Sequence, residues 1–286
     1  MILGEWIFVG CRNDLVKKIL KCPICSADMS VTEDEKSAVC CGARRHCFDF
    51  SALGYLSLAM TGGGGDSKQA VVARSGFLSS GYYEKAANAI LDTVCKYLPE
   101  KPIIIDAGCG EGYYTSKLAT ISSVTLGFDL SKHGCMHAAK RAKKEGKENL
   151  MYATASVFDL PVKDGAANAV VNIFAPCAEN EYSRVLCDGG YLFVVGAGKD
   201  HLMGLKKVLY SNVYENAERA DLPQNMDHIE TVNVSYNITV EGKENIEALF
   251  SMTPYYWRTS QEDKLKLTSL EGLTTEIEFQ INVYKK

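Results

Sequence analysis

The chain has 286 residues, 47% of them apolar and 23% charged, with a formal net charge of −4. That length suits one full domain with a small appendage, and the balance excludes disorder, collagen and a coiled coil. The negative balance gives no global drive toward nucleic acid, and the longest apolar runs, such as 169–175 and 191–197, are far too short to span a bilayer.

The opening MILGEWIFVGCRNDLVKK reads as a cytoplasmic start, a short helix or strand packing on the body. Its basic charges follow the apolar stretch instead of preceding it, and Glu5 interrupts early, so it is not a signal peptide. Six of the eleven cysteines lie within the first 47 residues, and the other five stand singly. This uneven division points to a reduced compartment with one metal site, the scattered thiols serving as small core hydrophobes.

The metal site is legible in its spacing. Cys22-Pro23-Ile24-Cys25 forms a C-x-x-C knuckle, and Cys40, Cys41 and His46 follow about fifteen residues later. Zinc takes four soft or borderline ligands in a tetrahedron, which Cys22, Cys25, His46 and either Cys40 or Cys41 supply. Spacing alone leaves the two adjacent cysteines as alternatives. A redox C-x-x-C would open a helix inside a thioredoxin-like unit, which is absent. Lys17, Lys18, Lys21, Arg44 and Arg45 surround the knuckles and could bind phosphates or form a solvated face.

A glycine run, 62–65, reads as a hinge. Helical spacing of Ala70, Val71, Phe77, Leu78, Ala86, Ala89, Ile90 and Val94 predicts a helical linker over 66–98, closed by Pro99 and Pro102. The expected organisation is therefore a zinc-binding module at 1–60, a hinge and linker at 61–98, and a larger domain at 99–286.

From Pro102 strands alternate with helices. Strands are predicted at IIIDAG, VTLGFDL, NLMYATA, AANAVVNIF and GGYLFVVGA, with helices over 114–119 and 132–147. This is the pattern of an α/β fold with a doubly wound, mostly parallel sheet. The period-two runs VNVSYNITV and TTEIEFQINVY add antiparallel strands at one edge.

The loop after the first of these strands is Asp106-Ala107-Gly108-Cys109-Gly110-Glu111-Gly112. Its glycines allow a tight turn and close approach of a ligand. An acid two positions before the first glycine would repel the pyrophosphate of a dinucleotide. A sulfonium and an ammonium would instead be welcomed by Asp106 and Glu111, so the loop favours S-adenosylmethionine. Asp129, at the end of LGFDLS, is placed to hold both ribose hydroxyls, with Leu130 beside it. Ser156 and Val157 are expected to flank the adenine; Asp159 either joins them or caps the next turn.

Taken together, CPIC, HCFDF, GYLSL, DAGCGEGYYT, FAPC at 174–177, KDHLMGLK around His201 and MTPYYWR at 252–258 resemble the bacterial 23S rRNA (guanine-N1)-methyltransferases, from Lys21 onward. The resemblance implies a class I, Rossmann-like methyltransferase with a zinc-ribbon-like module. It implies zinc on Cys22, Cys25, Cys41 (or Cys40) and His46. It also implies cofactor contacts from Tyr83, Gly110, Glu111, Gly112, Tyr113 and His201. Its partner would be 23S rRNA, with a homodimer as an assembly the family admits and no membrane. Four glycines stand where family members often carry a basic linker. Guanine N1 lies on the pairing edge, so the base must be unpaired or flipped, with Phe174, Tyr255, Tyr256 and Trp257 as candidate platforms. No catalytic base is nominated. Two other readings are a small-molecule methyltransferase with a structural zinc and a zinc RNA-binding protein with an inactive methyltransferase domain.

Overall fold

The computed structural model describes residues 12–60, 65–217 and 219–286. The packed start expected before residue 12 and the hinge at Gly62–Gly64 lie outside the described residues.

Helix α1 (Arg12–Ile19) leads into a small antiparallel sheet of β1 (Met29–Val31), β2 (Ser37–Cys40) and β3 (Cys47–Asp49), then β4 (Leu56–Ser57). The linker is two helices, α2 (Lys68–Ser79) and α3 (Glu84–Tyr97). Ser67 starts α2 by accepting the Ala70 N–H on its hydroxyl (3.2 Å), and Gly81, at φ +85°, separates the pair. The alternating region follows as β5 (Ile103–Ala107), α4 (Tyr113–Leu118), β6 (Val124–Asp129), α5 (Lys132–Lys144), β7 (Leu150–Thr154) and β8 (Ala167–Ile173). Next come α6 (Glu179–Val185), β9 (Leu186–Ala197), α7 (Met203–Leu209), β10 (Asp227–Glu241), α8 (Lys243–Ser251), α9 (Gln261–Thr268) and β11 (Gly272–Lys285). Helix α5 ends before the expected Lys147 because Gly146 takes a left-handed φ of +64° and turns the chain away.

The large sheet has the order β10-β11-β9-β8-β5-β6-β7-β4. β9, β8, β5, β6, β7 and β4 run parallel, and β11 and β10 close one edge antiparallel. Strand order reverses at β5, which has β6 on one side and β8 on the other. In such sheets ligands bind beyond the carboxyl ends of the strands at this switch point.

Side-chain alternation divides the core between the two faces. Ile104, Val171, Phe193 and Val195 pack with Ile90 and Val94 of α3 and with Leu205 and Leu209 of α7. Ile105, Val170, Leu192 and Val194 pack with α1, α6 and the small sheet, including Val16, Tyr182, Met29 and Phe48. Residues 12–60 therefore share a hydrophobic core with the large sheet and supply its edge strand β4, which pairs with β7 through Leu56 and Ser57. No helix among the described residues is long and apolar enough to cross a membrane.

Candidate active site and metal centre

Beyond the carboxyl ends of β5, β6, β7 and β8 lies a cavity of about 670 Å³. That volume is within the range of small-molecule sites. The loop 108–111 forms one wall. Gly108 and Gly110 adopt φ of +89° and +54°, which an L-residue with a Cβ rarely takes.

Asp129 ends β6 with both carboxylate oxygens engaged by backbone. Oδ2 accepts the Gly110 N–H (2.9 Å) and Oδ1 the Ser131 N–H (2.7 Å), so each oxygen keeps a free lone pair. Burial raises its pKa, against the pull of these two N–H groups. Glu111 is buried and paired with Arg141 (2.5 Å), which also donates to Ser75 (2.7 Å). Burial raises the Glu111 pKa while Arg141 opposes it.

A strand of linker covers this end. A Cβ on Gly65 would come 2.6 Å from Ser131, so the backbone passes directly over the β6–α5 turn. Ser131 donates to the Asp66 carbonyl (3.0 Å), and Asp66 pairs with Arg74 (2.5 Å) at the cavity wall.

Of the cofactor residues expected from sequence, Tyr83, Gly108, Gly110, Glu111, Asp129, Leu130, Ser156, Val157 and His201 all line this cavity. Asp106, Gly112 and Tyr113 do not. Asp106 is buried behind the loop, where it accepts the Thr115 hydroxyl (2.6 Å). Burial pushes its pKa up to about 7, Thr115 opposing and the charges of Asp129 and Glu111 adding. Gly112 faces away, since a Cβ there would meet Tyr152 and Ala138. Tyr113 packs edge-on against Tyr114, and it is Tyr114 that reaches the cavity. Asp159 closes a turn by donating its N–H to the Ser156 carbonyl (3.2 Å) and is not in the wall.

His201 is 8% exposed, held among Tyr83, Phe174 and Phe279. Its Nδ1 accepts the Glu278 N–H (3.2 Å). Burial, with a smaller contribution from Lys206, pushes its pKa down to about 3. The ring is therefore neutral, and with Nδ1 accepting, the proton sits on Nε2.

Aromatic side chains complete the wall of the cavity. Phe158, Phe174 and Trp257 line it while remaining 63%, 47% and 84% exposed. Tyr255 lines it too, its buried hydroxyl without a hydrogen-bond partner among the described residues. Tyr256 lies outside, packed on Phe250. Phe158 was missed in the sequence although it sits inside the Ser156–Leu160 loop; a lone aromatic there carries no periodic signal. Arg141 was missed because its helix reads only as lysine-rich.

The metal-ligand geometry is equally definite. Cys22, Cys25, Cys40 and His46 bring four ligand atoms within 4.8 Å of one another. Cys25 Sγ and Cys40 Sγ are 3.8 Å apart, and His46 Nδ1 lies 3.4 Å from both Cys22 and Cys40. Tetrahedral zinc bonds to sulfur and nitrogen imply S–S edges of about 3.8 Å and S–N edges of about 3.5 Å, so the donor set fits that ion. Backbone N–H groups of Ile24 and His46 point at Cys22 and Cys40 sulfurs, as thiolate ligands require.

Of the two alternatives left open by sequence, it is Cys40 whose sulfur joins this cluster, at the buried end of β2, while Cys41, just beyond the strand, is exposed. Cys41 uses its N–H to bond the Asp28 carbonyl (2.8 Å).

A family model described as "Methyltransferase domain" matches residues 104–190. The chain is 30% identical over 201 residues to the 23S rRNA (guanine(748)-N(1))-methyltransferase of Streptomyces fradiae, covering 68% of this chain and 69% of that protein. The chain belongs to the 23S rRNA (guanine-N1)-methyltransferase family. A Bacillus subtilis (strain 168) protein named "Putative 23S rRNA (guanine-N(1)-)-methyltransferase YxjB" is 28% identical over 284 residues, 93% of this chain and 97% of that one. A crystal structure from Bacillus halodurans C-125, described as a "putative methyltransferase", superposes with a TM-score of 0.50 at 14% identity. It covers 68% of this chain and 98% of its own, a likeness of fold alone. The family's class I, Rossmann-like fold is the doubly wound sheet described above, with the Cys/His cluster on its N-terminal module.

Proposed function

We propose that this chain methylates N1 of a guanine in 23S rRNA, using S-adenosylmethionine. The carrying observation is a single cavity lined both by the glycine loop with its carboxylates and by exposed aromatic rings. S-adenosylmethionine supplies a methyl group already activated on a sulfonium. The chain's own residues supply position.

The free lone pairs of Asp129 suit two ribose hydroxyls, and its negative charge favours a cationic donor, the Glu111 charge being paired with Arg141. Leu130, Ser156 and Val157 form the adenine side. His201 acts as a hydrogen-bond donor through Nε2 and not as a proton acceptor, because burial keeps it neutral and Nδ1 is occupied. In the same cavity Phe158, Phe174 and Trp257 offer stacking faces to a base taken out of its helix.

The module of residues 1–60 holds a zinc ion on Cys22, Cys25, Cys40 and His46. With four protein ligands and no open position, the ion stabilises the module and does no chemistry. Arg44 and Arg45, exposed in the loop between the ligands, give that module a phosphate-facing edge. Residues 61–98 are the linker, which from Gly65 onward passes over the cofactor end, and 99–286 the catalytic domain. A ribosomal substrate sets the work in the cytoplasm.

Incubation of unmodified ribosomal RNA with the protein and labelled S-adenosylmethionine, followed by nucleoside mass spectrometry, tests the reading. Label in 1-methylguanosine is expected. Label confined to small metabolites, or cofactor binding with no label transfer to RNA, overturns it.

A further inference from the structure

The wall that carries Phe174, Ala175 and Pro176 is held from outside the cavity by a segment distant in sequence. The Arg219 guanidinium spans three elements. Its Nη1 donates to Asn172 Oδ1 on β8 (3.3 Å) and to the Val195 carbonyl on β9 (3.2 Å). Its Nη2 donates to the Ala175 carbonyl in the wall itself (2.8 Å). Nε and Nη2 together grip Asp221 (2.8 and 2.9 Å), and Asp221 in turn accepts the Cys177 N–H (2.8 Å).

Two further features fit this clamp. Gly196 makes room for it, since a Cβ there would stand 2.9 Å from Arg219 Cδ. Asn172 and Tyr182, both fully buried, fix the same wall from below by donating to the Pro176 carbonyl (2.9 and 3.0 Å). The wall's backbone is thereby bonded at Ala175, Pro176 and Cys177. Phe174, at φ +53°, takes the turn that brings Ala175 against Gly108 of the glycine loop.

We propose that Arg219 and Asp221 are positioning residues that set the target-base wall at a fixed height above the glycine loop. The reaction readout of this assignment rests on the methyl transfer proposed above. Neither residue is in the cavity lining, so both act through the wall. A displacement of about 1 Å between reacting groups can lower a rate about a hundredfold, which makes such a clamp consequential.

The experiment compares Arg219→Ala, Asp221→Ala, the double variant and Arg219→Lys with the wild-type chain. Iodoacetamide labelling of the folded protein, mapped by peptide mass spectrometry, reads the wall directly at Cys177, whose thiol burial pushes up to about 11. Labelling of Cys177 is expected to rise several-fold in Arg219→Ala through exposure of the wall, against the further rise in thiol pKa that loss of the Arg219 charge brings, with Cys95 and Cys187 unchanged. Turnover should fall about 10- to 100-fold with the KM for RNA within about threefold. The double variant should be no worse than either single change, and lysine, lacking the planar fork, should restore little. Unchanged Cys177 labelling overturns the proposal, and so does a parallel rise at all three thiols, which would report general loosening. If Cys177 alone responds but the wild-type chain transfers no methyl group to RNA, the clamp stands and the proposed function fails.

Discussion

Gly108 and Ala175 stand in contact across the switch point, and a methyl group on Gly108 would overlap the Ala175 side chain. The first belongs to the glycine loop and the second to the proposed target-base wall, so the separation of loop and wall is set at this touch. Gly108→Ala is therefore expected to abolish detectable cofactor binding in calorimetry and to lower turnover at least a hundredfold. Ala175→Gly in the same chain removes the overlap but not the strain of φ +89°, which costs an alanine about 1–2 kcal/mol. The double variant should recover only part of the affinity. Full recovery would mean that the backbone angle is not needed.

The metal assignment separates two neighbouring residues. Cys41→Ser should keep about one equivalent of zinc, whereas Cys40→Ser should fall below about half an equivalent in metal analysis of unchelated protein. Removal of the metal should lower the melting temperature of the whole chain and not of the module alone, because Cys22 and Cys40 are buried in the same core as Ile105 and Phe128. A separate low-temperature transition in calorimetry, with the main one unmoved, would contradict that continuity.

Much of this site could be read from residue order. Asp129 ends an apolar run, and the glycine loop sits between a buried strand and a helix, so sequence placed both at strand ends. The parallel strands announce themselves because burial on both faces makes them continuously apolar. What sequence could not resolve depended on direction or distance. Choosing Cys40 over Cys41 needs to know which side of β2 faces inward. Asp106 looks like a ligand residue, and only the packing shows Thr115 holding it behind the loop. Strand β4 has two residues and no periodicity to detect. Arg219 meets Ala175 across 44 residues of chain, a contact no local pattern encodes.

Asp106 gives the stability a pH dependence of known sign. Its folded pKa, about 7, is raised above its ordinary value of 3.8 by burial. Its contribution is therefore fully present below about pH 4 and is lost as pH rises through 7. Asp106→Asn keeps an acceptor for Thr115 and removes the buried charge. In the absence of cofactor the variant should melt higher than wild type at pH 8, and the difference should shrink steadily toward pH 5. A difference independent of pH would show that Asp106 does not ionise in this range.

Trp257 and Phe158 line the cavity yet stand exposed, presenting flat faces on which a base can stack. Stacking of a base on an aromatic side chain contributes about 1–3 kcal/mol. Trp257→Ala and Phe158→Ala should each weaken binding of a target RNA hairpin by about 5- to 150-fold, while Trp257→Phe retains most of the affinity. Cofactor affinity should stay within about threefold of wild type for the Trp257 variants, since the Trp257 ring packs on Tyr256 while the proposed ribose and methionine contacts come from Asp129 and the glycine loop. The chain has two tryptophans, so Trp6→Phe isolates the emission of Trp257. Quenching of that emission on titration with the hairpin is expected if a base lies over the ring. Unaltered emission at saturating RNA would mean that the target base is held elsewhere in the cavity, and would turn attention to Phe174 and Tyr255.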